Sequence, residues 1–414
     1  MAGELDATAR WPAFVGPTWA EVDLDAIADN VRWVCAHLQP GCRLMAVVKA
    51  DAYGHGALEV ARAVLAAGAD ALAVSTVAEG LLLREEGVAA PVLVLTPARP
   101  PEVDAALGLD LILTVCDVEG AHELARAASR TGRPARAHVK CDTGMGRYGF
   151  LSDELPRAAG ELLRLKGAVR WEGAFTHFAR GADATASAAQ LRRFQAALRG
   201  CEAAGLTFAV RHAAASAALL ALPEAQLDMV RIGNLLYGAV PRGVAAGGLR
   251  RAFALRSRVA QVRTLPRGAH VGYGGEWAAA RPTRVAMLPI GFADGLGLTP
   301  AAPYRRIPVL LRALARALLR AAGLGRLAGA ATGEVWLGGR RLPVRGRIGM
   351  QQVTVDCGDL PVAAGDVATV HVPSTAVGAH VARVYLRDGV PVVARAGAGS
   401  AIAPARAGRP SGST

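Results

Sequence analysis

The sequence is short of lysine. Of its 47 Lys+Arg residues only Lys49, Lys140 and Lys166 are lysines, so the other 44 are arginine. Arginine stays protonated and cannot form an imine. A chain that writes arginine nearly everywhere therefore marks its few lysines as places where an amine is needed. Aromatic residues are also scarce, at 5%, and no nucleic-acid-binding signature accompanies the net charge of +13, whose arginines are spread along the chain. No nucleic-acid partner is expected on that pattern. No apolar run is long enough to span a bilayer, and residues 1–16 carry Glu4 and Asp6 without an apolar signal core. The expectation is a cytoplasmic protein with no membrane partner. The six cysteines are scattered without a C-x-x-C pair or a matching histidine cluster, so neither a disulfide framework nor a metal site is expected.

What is present reads as globular. With 414 residues, 52% hydrophobic and 20% charged, the chain suits one large domain plus a smaller one. From residue 44 to 232 eight short apolar runs alternate with Ala/Leu/Arg helical stretches: Leu44–Lys49, Ala71–Ser75, Pro91–Thr96, Leu111–Val115, Ala135–Lys140, Trp171–His177, Phe208–His212 and Met229–Ile232. Eight alternations predict a (β/α)8 barrel over residues 18–244. The competing doubly wound sheet lacks its dinucleotide fingerprint. Lys49, Lys140, His177, His212 and Arg231 fall at the ends of runs, which in a barrel form the catalytic face. Beyond residue 245 the pattern changes to strands at Phe253–Leu265, Arg284–Ile290, Glu334–Val344, Ile348–Val355 and Val367–Val372, with a Gly338-Gly339 hairpin turn. This predicts a C-terminal, mostly antiparallel β domain over residues 245–402, interrupted by a basic insertion at about 298–332. A disordered tail is expected over residues 403–414.

The organising stretch is Val47-Val48-Lys49-Ala50-Asp51-Ala52-Tyr53-Gly54-His55-Gly56, where an apolar run delivers a lysine to a glycine-punctuated loop. A desolvated strand end favours the neutral, nucleophilic amine. These ten residues resemble the pyridoxal-phosphate (PLP) lysine motif of the alanine racemases, whose members join a PLP-bearing barrel to a β-rich domain. Lys140-Cys141-Asp142-Thr143-Gly144-Met145-Gly146-Arg147 resembles that family's second signature, and Arg231-Ile232-Gly233-Asn234 a third. The resemblance extends from about Thr18 to Arg383.

It implies PLP as cofactor, racemisation of an amino-acid substrate (alanine first) for D-alanine and peptidoglycan precursors, and a homodimer with shared active sites. By the same resemblance Lys49 is the Schiff-base lysine and one of two bases. Tyr53, Ser216, Gly233 and Asn234 would hold the phosphate, and His177 would belong to the site. Arg147 would face the substrate carboxylate, and Lys140 would be either a carbamate or an ordinary buried lysine in a salt bridge. Arg231 would face the pyridine nitrogen. Tyr273 in His270-Val271-Gly272-Tyr273-Gly274 would be the opposite base, and Met350 in Gly346-Arg347-Ile348-Gly349-Met350 would touch the substrate from the partner chain. Arg231 cannot accept a proton, which weighs against a decarboxylase or aldolase of the same fold. Ala215, Phe292, Gln351 and Ala379 depart from the family pattern and leave serine or another amino acid as alternative substrates. Phe292 and Ala379 also keep a degenerate PLP-binding homologue in view.

Overall fold

The computed structural model describes residues 15–298, 311, 314, 315, 318, 334–396 and 400–402. The chain divides into two compact units, Asp23–Ala252 and a second formed by the segment ending at Val22 together with the chain from Phe253.

The first unit is the expected barrel. After strand β1 (Thr18–Asp23), its strands are β2 (Arg43–Val47), β3 (Ala71–Val74), β4 (Val92–Val94), β5 (Ile112–Val115), β6 (Ala135–Asp142), β7 (Val169–Phe175), β8 (Val210–Ala215) and β9 (Met229–Ile232). They run parallel in the order β5-β4-β3-β2-β9-β8-β7-β6, and pairing of β5 with β6 closes the ring. Met45, Val47, Ala71, Ala73, Leu93, Ile112 and Met229 pack together as one cluster. The alternate residues Leu44, Ala46, Leu72, Val92, Val94 and Val230 are buried as well. Burial on both faces explains why these strands read as continuous apolar runs without alternation.

Caps start the helices where the strands end. Asp23 accepts from the Ala26 N–H to open helix α1 (Leu24–Cys35). Helix α2 follows over Ala57–Ala66, and Thr76 with Glu79 forms a reciprocal cap on helix α3 (Val77–Glu85). Buried Asn30 on α1 donates to the carbonyls of Leu236 and Arg250 and accepts from the Arg250 N–H. It thereby pins the chain that follows β9. Gly238 is needed there, since a Cβ would lie 2.1 Å from the Arg250 carbonyl oxygen.

The second unit is mostly antiparallel sheet. The boundary expected at residue 18 moves to Asp23, because β1 pairs antiparallel with Phe253–Arg258, Thr18 opposite Ser257 and Val22 opposite Phe253. With Phe253–Arg258 on one edge and Ala382–Arg387 on the other, this strand has no free edge to offer the barrel. The long run expected over 253–265 is two strands, Phe253–Arg258 and Gln261–Leu265. Glu334–Leu337 and Arg340–Leu342 form the hairpin, with Gly338 at φ 55° and Gly339 at φ 73°. Those values suit the positive-φ turns that match strand twist. The strand expected at 348–355 begins only at Val353. Strands Ala382–Arg387 and Val390–Ala396 went unrecognised. Most of the basic insertion, including Arg312, Arg316 and Arg320, and the tail from 403 lie outside the described residues; Leu311, Leu314 and Leu318 are exposed. Among the described residues no helix is long and apolar enough to cross a membrane.

Candidate active site

The C-terminal ends of the barrel strands converge on a cavity of about 390 Å³. Its lining includes Lys49, Tyr53, Lys140, Arg147, His177, Ser216, Arg231, Gly233 and Asn234. Nine of the eleven residues expected at the site are thus brought together by the barrel unit. The other two, Tyr273 and Met350, belong to the β unit. There Tyr273 opens a short 3-10 turn beyond the two-residue strand His270–Val271, and is not on the strand itself. Both side chains are exposed, Tyr273 at 79% and Met350 at 63%.

Lys49 lies two residues beyond the end of β2 and leads directly into an unusual backbone. Ala50, Asp51, Ala52 and Tyr53 all have positive φ, between 51° and 57°, making one left-handed turn from residues that are not glycine. Left-handed geometry costs an L-residue roughly 1–2 kcal/mol, so four in succession persist only where contacts hold them. The turn sends Tyr53 back toward β9, where a Cβ on Gly233 would come within 2.5 Å of the Tyr53 hydroxyl. Glycine at 233 is therefore the condition for the tyrosine to sit there. The Gly233 N–H donates to Ser216 Oγ at 3.3 Å, which places the backbone of residue 233 beside the serine expected on the same wall.

Arg231 is the most constrained group. It is buried, and its guanidinium donates to the carbonyls of Thr176 (2.6 Å) and Ala213 (3.2 Å). It also lies 2.8 Å from His212 Nδ1 and 3.3 Å from His177 Nδ1, over the Phe175 ring at 5.1 Å. Burial pushes its pKa down to about 9, which leaves it a cation at neutral pH. A guanidinium has only donors, so both facing histidine nitrogens must accept. His212 then carries its proton on Nε2, which meets His138 Nδ1 at 2.8 Å. The result is a buried chain Arg231–His212–His138, and Gly173 makes room for it, since a Cβ there would fall 2.7 Å from the His138 ring. Burial first, and nearby arginines second, hold His138 and His177 down at about 3 and His212 well below its ordinary value. All three rings are neutral near pH 7.

Arg147 reaches the cavity on a loop organised by Asp142, whose carboxylate accepts from the N–H groups of Gly144, Met145 and Arg147. Those hydrogen bonds keep the Asp142 pKa low despite partial burial, which acts in the other direction. Lys140 is buried with its ammonium 5.3 Å from the Tyr148 ring and 5.5 Å from the Phe175 ring. Among the described residues it has no carboxylate partner, so the salt bridge considered for it is not formed. Burial is the leading cause lowering the pKa of both Lys49 and Lys140, with Arg147 adding to it in each case. Glu79 acts oppositely on Lys49.

Among the described residues, four cationic ones and no carboxylate therefore line this cavity, a donor set that suits a bound anion. A hydroxyl pair from Tyr53 and Ser216 and a primary amine on the same wall fit a phosphorylated aldehyde such as PLP. Sequence reading overlooked Glu79, His138 and the loop-organising role of Asp142, and placed His212 at the catalytic face without a specific role. For His138 the only available signal was its position on strand β6.

Sequence comparisons agree with this geometry. The alanine racemase N-terminal domain matches residues 22–241 and the alanine racemase C-terminal domain residues 252–312. An alanine racemase of Desulfosudis oleivorans is 41% identical over 362 residues, covering 84% of this chain and 85% of that protein. The solved alanine racemase of Clostridium difficile 630 superposes with a TM-score of 0.81 at 28% identity, covering 92% of this chain and 98% of the other. That of the D-cycloserine producer Streptomyces lavendulae gives 0.77 at 33% identity, covering 90% and 97%. A barrel with a lysine-bearing cationic cavity, a following β unit and matches along both units lead to one conclusion: this chain belongs to the alanine racemase family.

Proposed function

We propose that the barrel cavity is the PLP site of an amino-acid racemase that interconverts L- and D-alanine through two bases, Lys49 and Tyr273. The observation that carries this reading is the cavity itself, which gathers two of the chain's three lysines, Lys49 and Lys140, with Arg147 and Arg231 and, among the described residues, no acid. When bound, PLP disperses the electron pair left on the substrate α-carbon. The protein's task is then to hold groups and move protons. Burial and Arg147 bias Lys49 Nζ toward the neutral amine, the form able to take up a proton. On the opposite face the phenol of Tyr273 would act from a second copy of the chain, consistent with its exposure on the β unit. Two bases on opposite faces allow a proton to leave one side and return on the other.

Tyr53 and Ser216 would bind the phosphate, with Gly233 and Asn234 closing that wall. Arg147 offers a planar donor fork to the substrate carboxylate. Arg231, fixed by two carbonyls and two neutral histidines, would face the ring nitrogen. Because it cannot take a proton, it favours plain proton exchange over chemistry that needs a protonated ring. Lys140, buried and forming no salt bridge among the described residues, is a candidate for carbamylation, which would convert it to an anion near Arg147 and Arg231. A cytoplasmic homodimer supplying D-alanine for peptidoglycan fits this reading. The test is borohydride reduction of purified protein followed by peptide mass mapping, run beside a D/L assay over a panel of amino acids. The reduced cofactor should sit on the peptide containing Lys49, and attachment at Lys140 or Lys166 would remove the centre of the proposal.

A further inference from the structure

We infer that Glu79 is a positioning residue for Lys49, its carboxylate clamping the left-handed turn that carries this lysine into the cavity. The inference rests on the proposed role of Lys49. Within the turn the bonds are local: the Ala52 N–H donates to the Val48 carbonyl (2.8 Å), the Gly56 N–H to that of Asp51 (2.9 Å), and Asp51 Oδ1 accepts from the Ala57 N–H at 2.7 Å. Such bonds move with the turn. The Val48 N–H to the Ala73 carbonyl (2.9 Å) and the Tyr53 and His55 rings against Tyr237 tie its two flanks to the barrel, and Glu79 ties the residue directly after Lys49. One oxygen accepts from the Ala50 N–H at 2.7 Å, the residue directly after Lys49. The other accepts from the N–H groups of Ser75 (2.6 Å) and Thr76 (3.2 Å) at the end of β3.

A carboxylate that served only to cap α3 would need the Thr76 bond alone. The oxygen turned to Ala50 ties neighbouring strand ends together across 29 residues. Charge-assisted bonds of this kind are the stronger class of hydrogen bond, and four strained residues need an anchor of that sort. The same carboxylate opposes the lowering of the Lys49 pKa by burial and Arg147. One side chain thus holds the backbone that carries the amine and, behind the larger effects of burial and Arg147, favours its protonated form.

The test uses the full-length chain, freed of cofactor with hydroxylamine and labelled with trace acetic anhydride across a pH series. Mass spectrometry reads the labelling midpoint of each lysine peptide, with exposed Lys166 as the internal reference. Glu79→Gln should lower the Lys49 midpoint, leave Lys166 unchanged, and reduce kcat by about tenfold or more once cofactor is restored. Thr76→Ala removes the helix cap but not the carboxylate, so it should lower the Tm while leaving the Lys49 midpoint and kcat unaltered. Ala50→Gly in the Glu79→Gln background relieves the strain the clamp opposes, because glycine adopts positive φ freely. This double variant should regain folding stability while keeping the lowered midpoint. An unchanged Lys49 midpoint in folded Glu79→Gln, an equal shift in Thr76→Ala, or no recovery in the double variant would each overturn the inference. Borohydride labelling in the same variants separates this outcome from failure of the Lys49 assignment, since the label should stay on Lys49 throughout.

Discussion

Acidifying the cofactor-free chain from about pH 7.5 to about pH 5 should remove stability through the histidines that line and underlie the cavity. His138 and His177 are held at about 3 in the folded protein, by burial first and nearby arginines second, against an ordinary value of 6.5. A histidine whose folded pKa is depressed stays neutral in the native state while its unfolded counterpart takes up a proton. The unfolded state therefore binds more protons between about pH 6.5 and 3, and stability falls as pH drops through that window. By pH 5 each such unfolded histidine has gained about 2 kcal/mol. The two together thus account for a loss of about 4 kcal/mol, and His212, fully buried and also depressed, adds in the same direction. That is a large part of the roughly 5–15 kcal/mol on which a folded domain ordinarily rests. Guanidinium unfolding followed by far-UV circular dichroism, at fixed ionic strength and protein concentration, measures it. Carboxylates also begin to titrate near pH 5, so a His138→Asn chain isolates one ring: its loss over the interval should be smaller by about 2 kcal/mol. Stability that is flat across the interval, or an equal drop in both chains, would refute the argument.

Gly233→Ala should weaken PLP binding by about tenfold or more, as read by titration of cofactor-free protein, because the new Cβ would meet the Tyr53 hydroxyl at 2.5 Å. Gly173→Ala should lower the Tm by several degrees and alter the cofactor's absorbance, since displacing His138 loosens the chain that fixes Arg231. Lys49→Ala and Tyr273→Ala chains should each lose nearly all racemase activity as homodimers, and a subunit-exchanged mixture should regain it through one intact site per heterodimer. Absence of recovery despite demonstrated exchange would count against a shared site. The departures Phe292, Gln351 and Ala379 should let serine compete better with alanine than in relatives that keep the polar family residues. A strict alanine preference in parallel kinetics would contradict that expectation.

The barrel was legible in the sequence because parallel strands buried on both faces must be written as apolar runs, and each of the eight runs overlaps a barrel strand. The cavity residues were legible for a related reason. Charged or polar residues at the ends of such runs, above all a rare lysine, have no packing explanation. The sequence was less informative where structure is set by pairing over long distances. Nothing local distinguishes Thr18–Asp23 from a first barrel strand; its place in the β unit is decided by Phe253–Arg258, more than two hundred residues away. The left-handed turn at Ala50–Tyr53 is equally hidden, because alanine and tyrosine disfavour positive φ, a single aspartate tolerates it only as an isolated residue, and outside contacts must sustain four in a row. Glu79 reads in sequence as an ordinary helix cap, and His138 and His212 as strand residues. Only the closed ring of strands, which brings β2 beside β3 and β6 within reach of β8 across β7, gives those side chains something to hold.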